Sequence, residues 1–111
     1  MSPMMTDTQS VLANAVVQNA IAGKSQEFIK EPSVVSLSAT GSAIGLFITF
    51  IIGDEVVIED QAIPLTNRFP IVPDDTLAQG GAFPGDRVIV KLRNSTGGAL
   101  TSWVRVDVEP A

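Results

Sequence analysis

Cysteine, histidine and tyrosine are all missing from this chain of 111 residues. Without cysteine there are no disulfides, thiolate metal ligands or thiol nucleophiles, so stability must come from packing or from assembly. Without histidine and tyrosine the commonest general base and the phenolic acid are gone too. An active site would have to be built from carboxylates, lysine, serine or threonine, and a non-enzymatic role is expected. Positive charge is scarce: 7 Lys and Arg against 12 Asp and Glu leave a net charge of -5 and a pI near 4.4. No more than two basic residues gather closely anywhere, so the electrostatic footprint of nucleic-acid binding is absent and no nucleic-acid partner is expected. Long apolar runs are lacking as well. The longest, residues 43–52, is about half of the ~20 residues a membrane-spanning helix needs, and Gly45 and Thr49 interrupt it, so no transmembrane segment is expected. The first basic residue is Lys24, and the apolar positions before it are diluted by Asn, Gln and Thr, so no secretory signal is expected.

What is present is apolar: 45% hydrophobic residues against 17% charged, the reverse of a disordered composition and enough for one folded domain. Charge this low suits either a neutral polar surface or one covered by neighbours. Composition divides the chain into an N-terminal arm or helix for docking, 1–25, and a β domain, 26–111. Within 6–22, Thr6, Asp7 or Thr8 serve as N-cap candidates and Gly23 as C-cap, with a narrow stripe at Val11, Leu12, Ala15, Val16 and Ala20. Those features predict a helix. Asn14, Val16, Val17 and Asn19 are weak helix formers and leave an extended arm as the alternative.

From Gln26 onward, short β-branched and aromatic runs are separated by Gly, Pro, Asn and Asp, the pattern of antiparallel strands. Strands are predicted at 34–39, 45–52 and 55–60, the last two joined by Gly53-Asp54 as a type II′ hairpin. Pro64 and Pro70 make 63–71 an edge strand or a crossing loop. Pro73, Asp74, Asp75 and the Gly80-Gly81 pair mark a long surface loop. Residues 86–93 and 100–108 alternate polar and apolar, with 94–98 as the hairpin turn between them; Trp103, Arg105 and Asp107 fall on the polar face. The fold class predicted is all-β: a single antiparallel β-sandwich or small jelly-roll-like barrel of six to eight strands, preceded by an N-terminal arm or short helix.

The acidic pairs Asp54-Glu55, Glu59-Asp60 and Asp74-Asp75 sit where turns or strand ends are expected and serve as caps and solubilising charge, with a weak cation site as the sharper alternative. No catalytic, cofactor or metal residue is assigned. Asn94-Ser95-Thr96 matches the glycosylation acceptor pattern, which short sequences match by chance. The run 46–52 does not alternate and must hide both faces. Its outer side is covered either by the chain's own N-terminal segment or a long loop, or by another subunit. Trp103 beside Arg105 is a second candidate contact, of the residue types enriched at binding hot spots, with a half-exposed packing residue under a loop as the alternative. The subunit interface predicted is Val11, Leu12, Val16, Leu46, Phe47, Phe50, Trp103 and Arg105.

An arm at 6–22, a hairpin at 45–63 and a second from Pro84-Gly85-Asp86-Arg87 to Val108, with low charge and no catalytic groups, resemble in architecture the small structural proteins of bacteriophage particles. The likeness covers the chain loosely, rests on no family motif and carries over no functional residue. It implies a jelly-roll-like or immunoglobulin-like virion protein, assembled in the host cytoplasm, forming or decorating the capsid by packing with copies of itself or on a major capsid protein. A homo-oligomer without cofactor is then expected. The alternative is a monomeric β-sandwich binding module recognising carbohydrate or protein through Trp103 or the 74–85 loop.

Overall fold

Gly53 and Asp54 are the tip of one long hairpin that runs the length of the chain and is rolled up on itself. The computed structural model describes residues 4–24, 27–63 and 76–110. Its strands are β1 (Met4–Val11), β2 (Val16–Val17), β3 (Ser33–Gly41), β4 (Leu46–Ile52), β5 (Glu55–Ala62), β6 (Thr76–Ala82), β7 (Val88–Asn94) and β8 (Leu100–Pro110). Moving outward from the tip, β4 pairs with β5, β3 with β6, β2 with β7 and β1 with β8, every pair antiparallel. Rolling the ribbon adds two further ladders, β3 with β8 and β4 with β7. The outcome is two four-stranded sheets, β1-β8-β3-β6 and β2-β7-β4-β5, the double Greek-key order of a jelly roll.

Alternation decides which side chains meet between the sheets. In β4, Leu46, Ile48, Phe50 and Ile52 are buried while Phe47, Thr49 and Ile51 are half-exposed. Val88, Val90 and Leu92 of β7, Val104, Val106 and Val108 of β8, and Val35, Leu37 and Ala39 of β3 pack with them, and Ile21, Ile29 and Ile63 add buried side chains from outside these strands. At the tip, Gly53 takes a φ of +59° and Asp54 does not share it, as a type II′ turn requires; a Cβ there would also stand 2.8 Å from the Asp86 carboxylate.

Three expectations are corrected. The predicted helix at 6–22 is not present. Instead β1 pairs residue by residue with β8, from Met4 opposite Asp107 to Val11 opposite Leu100, and β2 follows it. The free edge of β8 offers this segment backbone partners, which outweigh its weak helix propensity. The expected docking arm therefore contains two strands of the sandwich, with Met5 and Val11 in the core. Second, Gly80 and Gly81 lie within strand β6, not in a loop. Gly80 gives Ile52 room, since a Cβ on it would stand 2.8 Å from Ile52 Cδ1 and the isoleucine would have to shift. Third, β7 and β8 do not form a hairpin. They belong to different sheets, and residues 95–99 cross between layers. The expectations for 64–71 and for Pro73, Asp74 and Asp75 lie outside the described residues.

Side-chain amides complete what β2 is too short to do. Asn19 accepts from Val90 N–H (3.1 Å) and donates to Val88 C=O (3.2 Å), occupying the edge of β7 beyond Val17. Asn94 is 1% exposed and donates to the carbonyls of Val11 (3.0 Å) and Gly98 (2.8 Å) while accepting from Thr96 N–H (2.9 Å). The acceptor-pattern asparagine is thus a buried structural pin. No helix among the described residues is long and apolar enough to cross a membrane.

Candidate contact surfaces

The eight predicted interface residues do not form one surface. Val11, Leu46 and Phe50 are 1%, 0% and 0% exposed, so they belong to the chain's own core and are withdrawn as contact residues. The cause is β pleating: in β4 every second side chain faces inward whatever its neighbours' polarity. Leu12 is 67% exposed in the β1–β2 loop. Trp103 and Arg105 lie half-exposed on the outside of the β1-β8-β3-β6 sheet. Val16 and Phe47 do come together, on the outside of the other sheet, flanking Arg93 in register.

That second outer face is built in rows across the strands. Ile89, Ile51 and Val56 lie side by side on β7, β4 and β5; Lys91 and Thr49 follow; then Arg93 and Phe47, with Val16 beyond. Facing Thr49 on β5 are two residues instead of one. The partners on either side are Phe50 with Ile58 and Ile48 with Gln61, which leaves Glu59 and Asp60 opposite the single Thr49. This is a β-bulge, and it explains the φ of +50° at Asp60, whose N–H donates to Thr49 Oγ1 (2.9 Å). The bulge aims Asp60 across β4 at Arg93, which donates to its two carboxylate oxygens at 2.9 and 2.8 Å. Arg93 in turn lies over the Phe47 ring, 4.3 Å from the centroid. The guanidinium hydrogen-bonded to Asp60 holds that carboxyl below its usual range, and Asp60 makes Arg93 a weaker acid still. The N-terminal segment does not cover the outer side of 46–52 but joins the sheets as β1 and β2. Among the described residues that side is covered in part by the Arg93 clamp, with Phe47, Thr49 and Ile51 half-exposed.

The opposite outer face is mixed: Met4, Val34 and Trp103 stand on it among Ser, Thr and charged side chains. Arg105 and Asp107 pair along one strand at 3.1 Å, and Trp103 stands in register between Thr8 and Thr40. At the end of the sandwich carrying the Gly53 turn, Phe28 and Phe83 are 55% and 69% exposed. Their loops are tied by Ile29 N–H donating to Asp86 C=O (2.8 Å) and by Gly85 N–H donating to Ile29 C=O (2.8 Å). Glu27 organises this end. It accepts from Gly23 N–H at 2.9 Å and from Arg87 Nε at 2.8 Å, and these bonds, the backbone one first, hold its carboxyl below the ordinary value.

Sequence reasoning missed Ile51, Val56, Lys91, Phe28 and Phe83. Phe83 carried a signal, being a large aromatic directly before Pro84-Gly85, and Phe28 a weaker one, lying outside any alternating run. Lys91 carried none, because its place in the row with Thr49 exists only once β7 is laid beside β4. Among the described residues, no cluster of acidic side chains could hold a metal ion. No model of a known protein family and no curated protein matches this chain.

Proposed function

We propose that this chain is a structural protein of a virus particle of the bacteriophage type, forming or decorating the capsid through subunit–subunit contacts in the virion. The observation that carries this is the pairing of a jelly-roll strand order with an outer sheet face that displays Phe47, Ile51, Val56 and Val16. Jelly rolls serve in capsids and in lectins alike, so topology alone decides nothing. An apolar sheet face outside a well-filled core is what a packed shell uses and a freely soluble domain avoids.

The test is light scattering and negative-stain electron microscopy of the full chain over a concentration series. Multi-subunit particles of uniform size are expected. A chain that stays at 11.7 kDa throughout and does not associate with an isolated phage shell would overturn the proposal. The second reading, a carbohydrate- or protein-binding module, is favoured by one feature, the half-exposed Trp103 among threonines on the β1-β8-β3-β6 face. Glycan-array binding that disappears in Trp103→Ala would favour it over assembly.

A further inference from the structure

On the assembly reading above, the partner of the apolar face can be named. We propose that the outside of the β2-β7-β4-β5 sheet docks a second copy of this chain, face to face, about a two-fold axis parallel to β4, with Lys91 of each copy meeting Glu59 of the other.

Charge is the first ground. The groove of ≈470 Å³ on this face is lined by Lys91, Arg93, Glu59 and Asp60 beside Thr49, Ile51 and Val56, so its charges cancel, while the chain as a whole carries -5. This face is therefore one that another copy of an acidic protein can approach without net repulsion. Arg93 and Asp60 satisfy each other at 2.8 Å. Lys91 and Glu59 have no ion-pair partner among the described residues.

Position is the second ground. Lys91 and Glu59 sit on opposite sides of Thr49, one strand away on β7 and one on β5, each ~4.8 Å from β4. A two-fold axis along β4 exchanges the two sides, because a closed dimer brings residue i onto j and j onto i. Each Lys91 then faces a Glu59, twice per dimer, and the row Ile89, Ile51, Val56 meets its own reverse, apolar on apolar. An axis across the strands along this row would place Lys91 on Lys91 and Glu59 on Glu59. The charge pattern selects the first axis. Three strands of this length cover about 14 by 24 Å, roughly 340 Å² on each copy and below the ~1,200 Å² in total at which specific interfaces begin, so the contact is a weak one and association is expected to depend on concentration.

Sedimentation equilibrium on four full-length proteins tests the contact: the wild type, Lys91→Glu, Glu59→Lys, and the double charge swap. In the wild type a dimer of twice 11.7 kDa is expected as the first associated species, at concentrations below those at which particles form. Each single reversal turns two attractions into repulsions and is expected to weaken dimerisation about tenfold or more, while the double swap returns it to within about threefold of wild type. Circular dichroism of each variant confirms that the fold is kept. A monomeric wild type, single variants that dimerise normally, or a double swap no tighter than the singles would each overturn the contact. Particles seen by microscopy in the wild type and both single variants alike would overturn it while leaving the capsid reading in place. Dimers obeying the charge swap that neither build particles nor associate with an isolated phage shell would uphold it and overturn that reading.

Discussion

The two outer faces of this sandwich use the same ion pair in opposite ways. On the β1-β8-β3-β6 face, Arg105 and Asp107 are two residues apart on one strand and pair locally, with Thr6 and Ser38 opposite Arg105 and Met4 and Ser36 opposite Asp107. On the β2-β7-β4-β5 face, Arg93 and Asp60 come from strands separated by β4, and their bridge lies over Phe47. A local pair needs only strand periodicity. The bridging pair needs three strands in register and a bulge to turn Asp60 inward across them. The difference separates a face whose apolar side chains, Met4, Val34 and Trp103, are scattered among polar ones from a face whose cations and acids are arranged around a continuous apolar row, Ile89, Ile51 and Val56.

The largest effect on this comparison comes from beneath both faces. Phe50 is fully buried on β4, and Phe50→Ala is expected to lower stability by about 4 kcal/mol in urea denaturation, disturbing both sheets together. A loss under about 1 kcal/mol would mean that the layers are not packed on this ring. Next in size is a matched pair of surface changes. Ile51→Asp on the apolar face is expected to abolish self-association in light scattering, and Ser36→Asp on the opposite face to leave it unchanged; equal effects would erase the distinction between the faces.

The smallest effect belongs to the loop end. Glu27 has its folded pKa held below the ordinary 4.5, so its contribution is complete above that pH and is lost as the pH falls through the lowered value. Glu27→Gln is expected to cost about 1 kcal/mol at pH 7, and the gap from wild type to narrow toward pH 3 in denaturation midpoints. A gap that stays constant with pH would show that the carboxylate charge at this loop is immaterial, leaving the faces as the sites where charge matters.

Much of this was legible in the residues. The Gly53-Asp54 turn, the outward Trp103, Arg105 and Asp107, and the inward valines of β7 and β8 follow from a two-residue period and the φ that glycine permits. Where local propensity competed with a distant edge, it misled: Thr6, Thr8 and Val11 read as helix until the open side of β8 is there to pair with them. The same limit applies to Gly80, which reads as a loop signal but makes room for Ile52.

By itself, then, the sequence determined the class and the inside-out pattern: β structure without disulfides, acidic, with few groups for chemistry and an unusually apolar central strand. Only the tertiary structure decided what surrounds that strand's second side. Rolling the hairpin set β7 beside β4, placed Lys91 and Glu59 on either side of Thr49, and drew Arg93 and Asp60 together over Phe47. These residues are 33 apart in the Arg93–Asp60 case. Register between distant strands is fixed by core packing and ladder hydrogen bonds over the whole sheet, a property that no local stretch of residues contains.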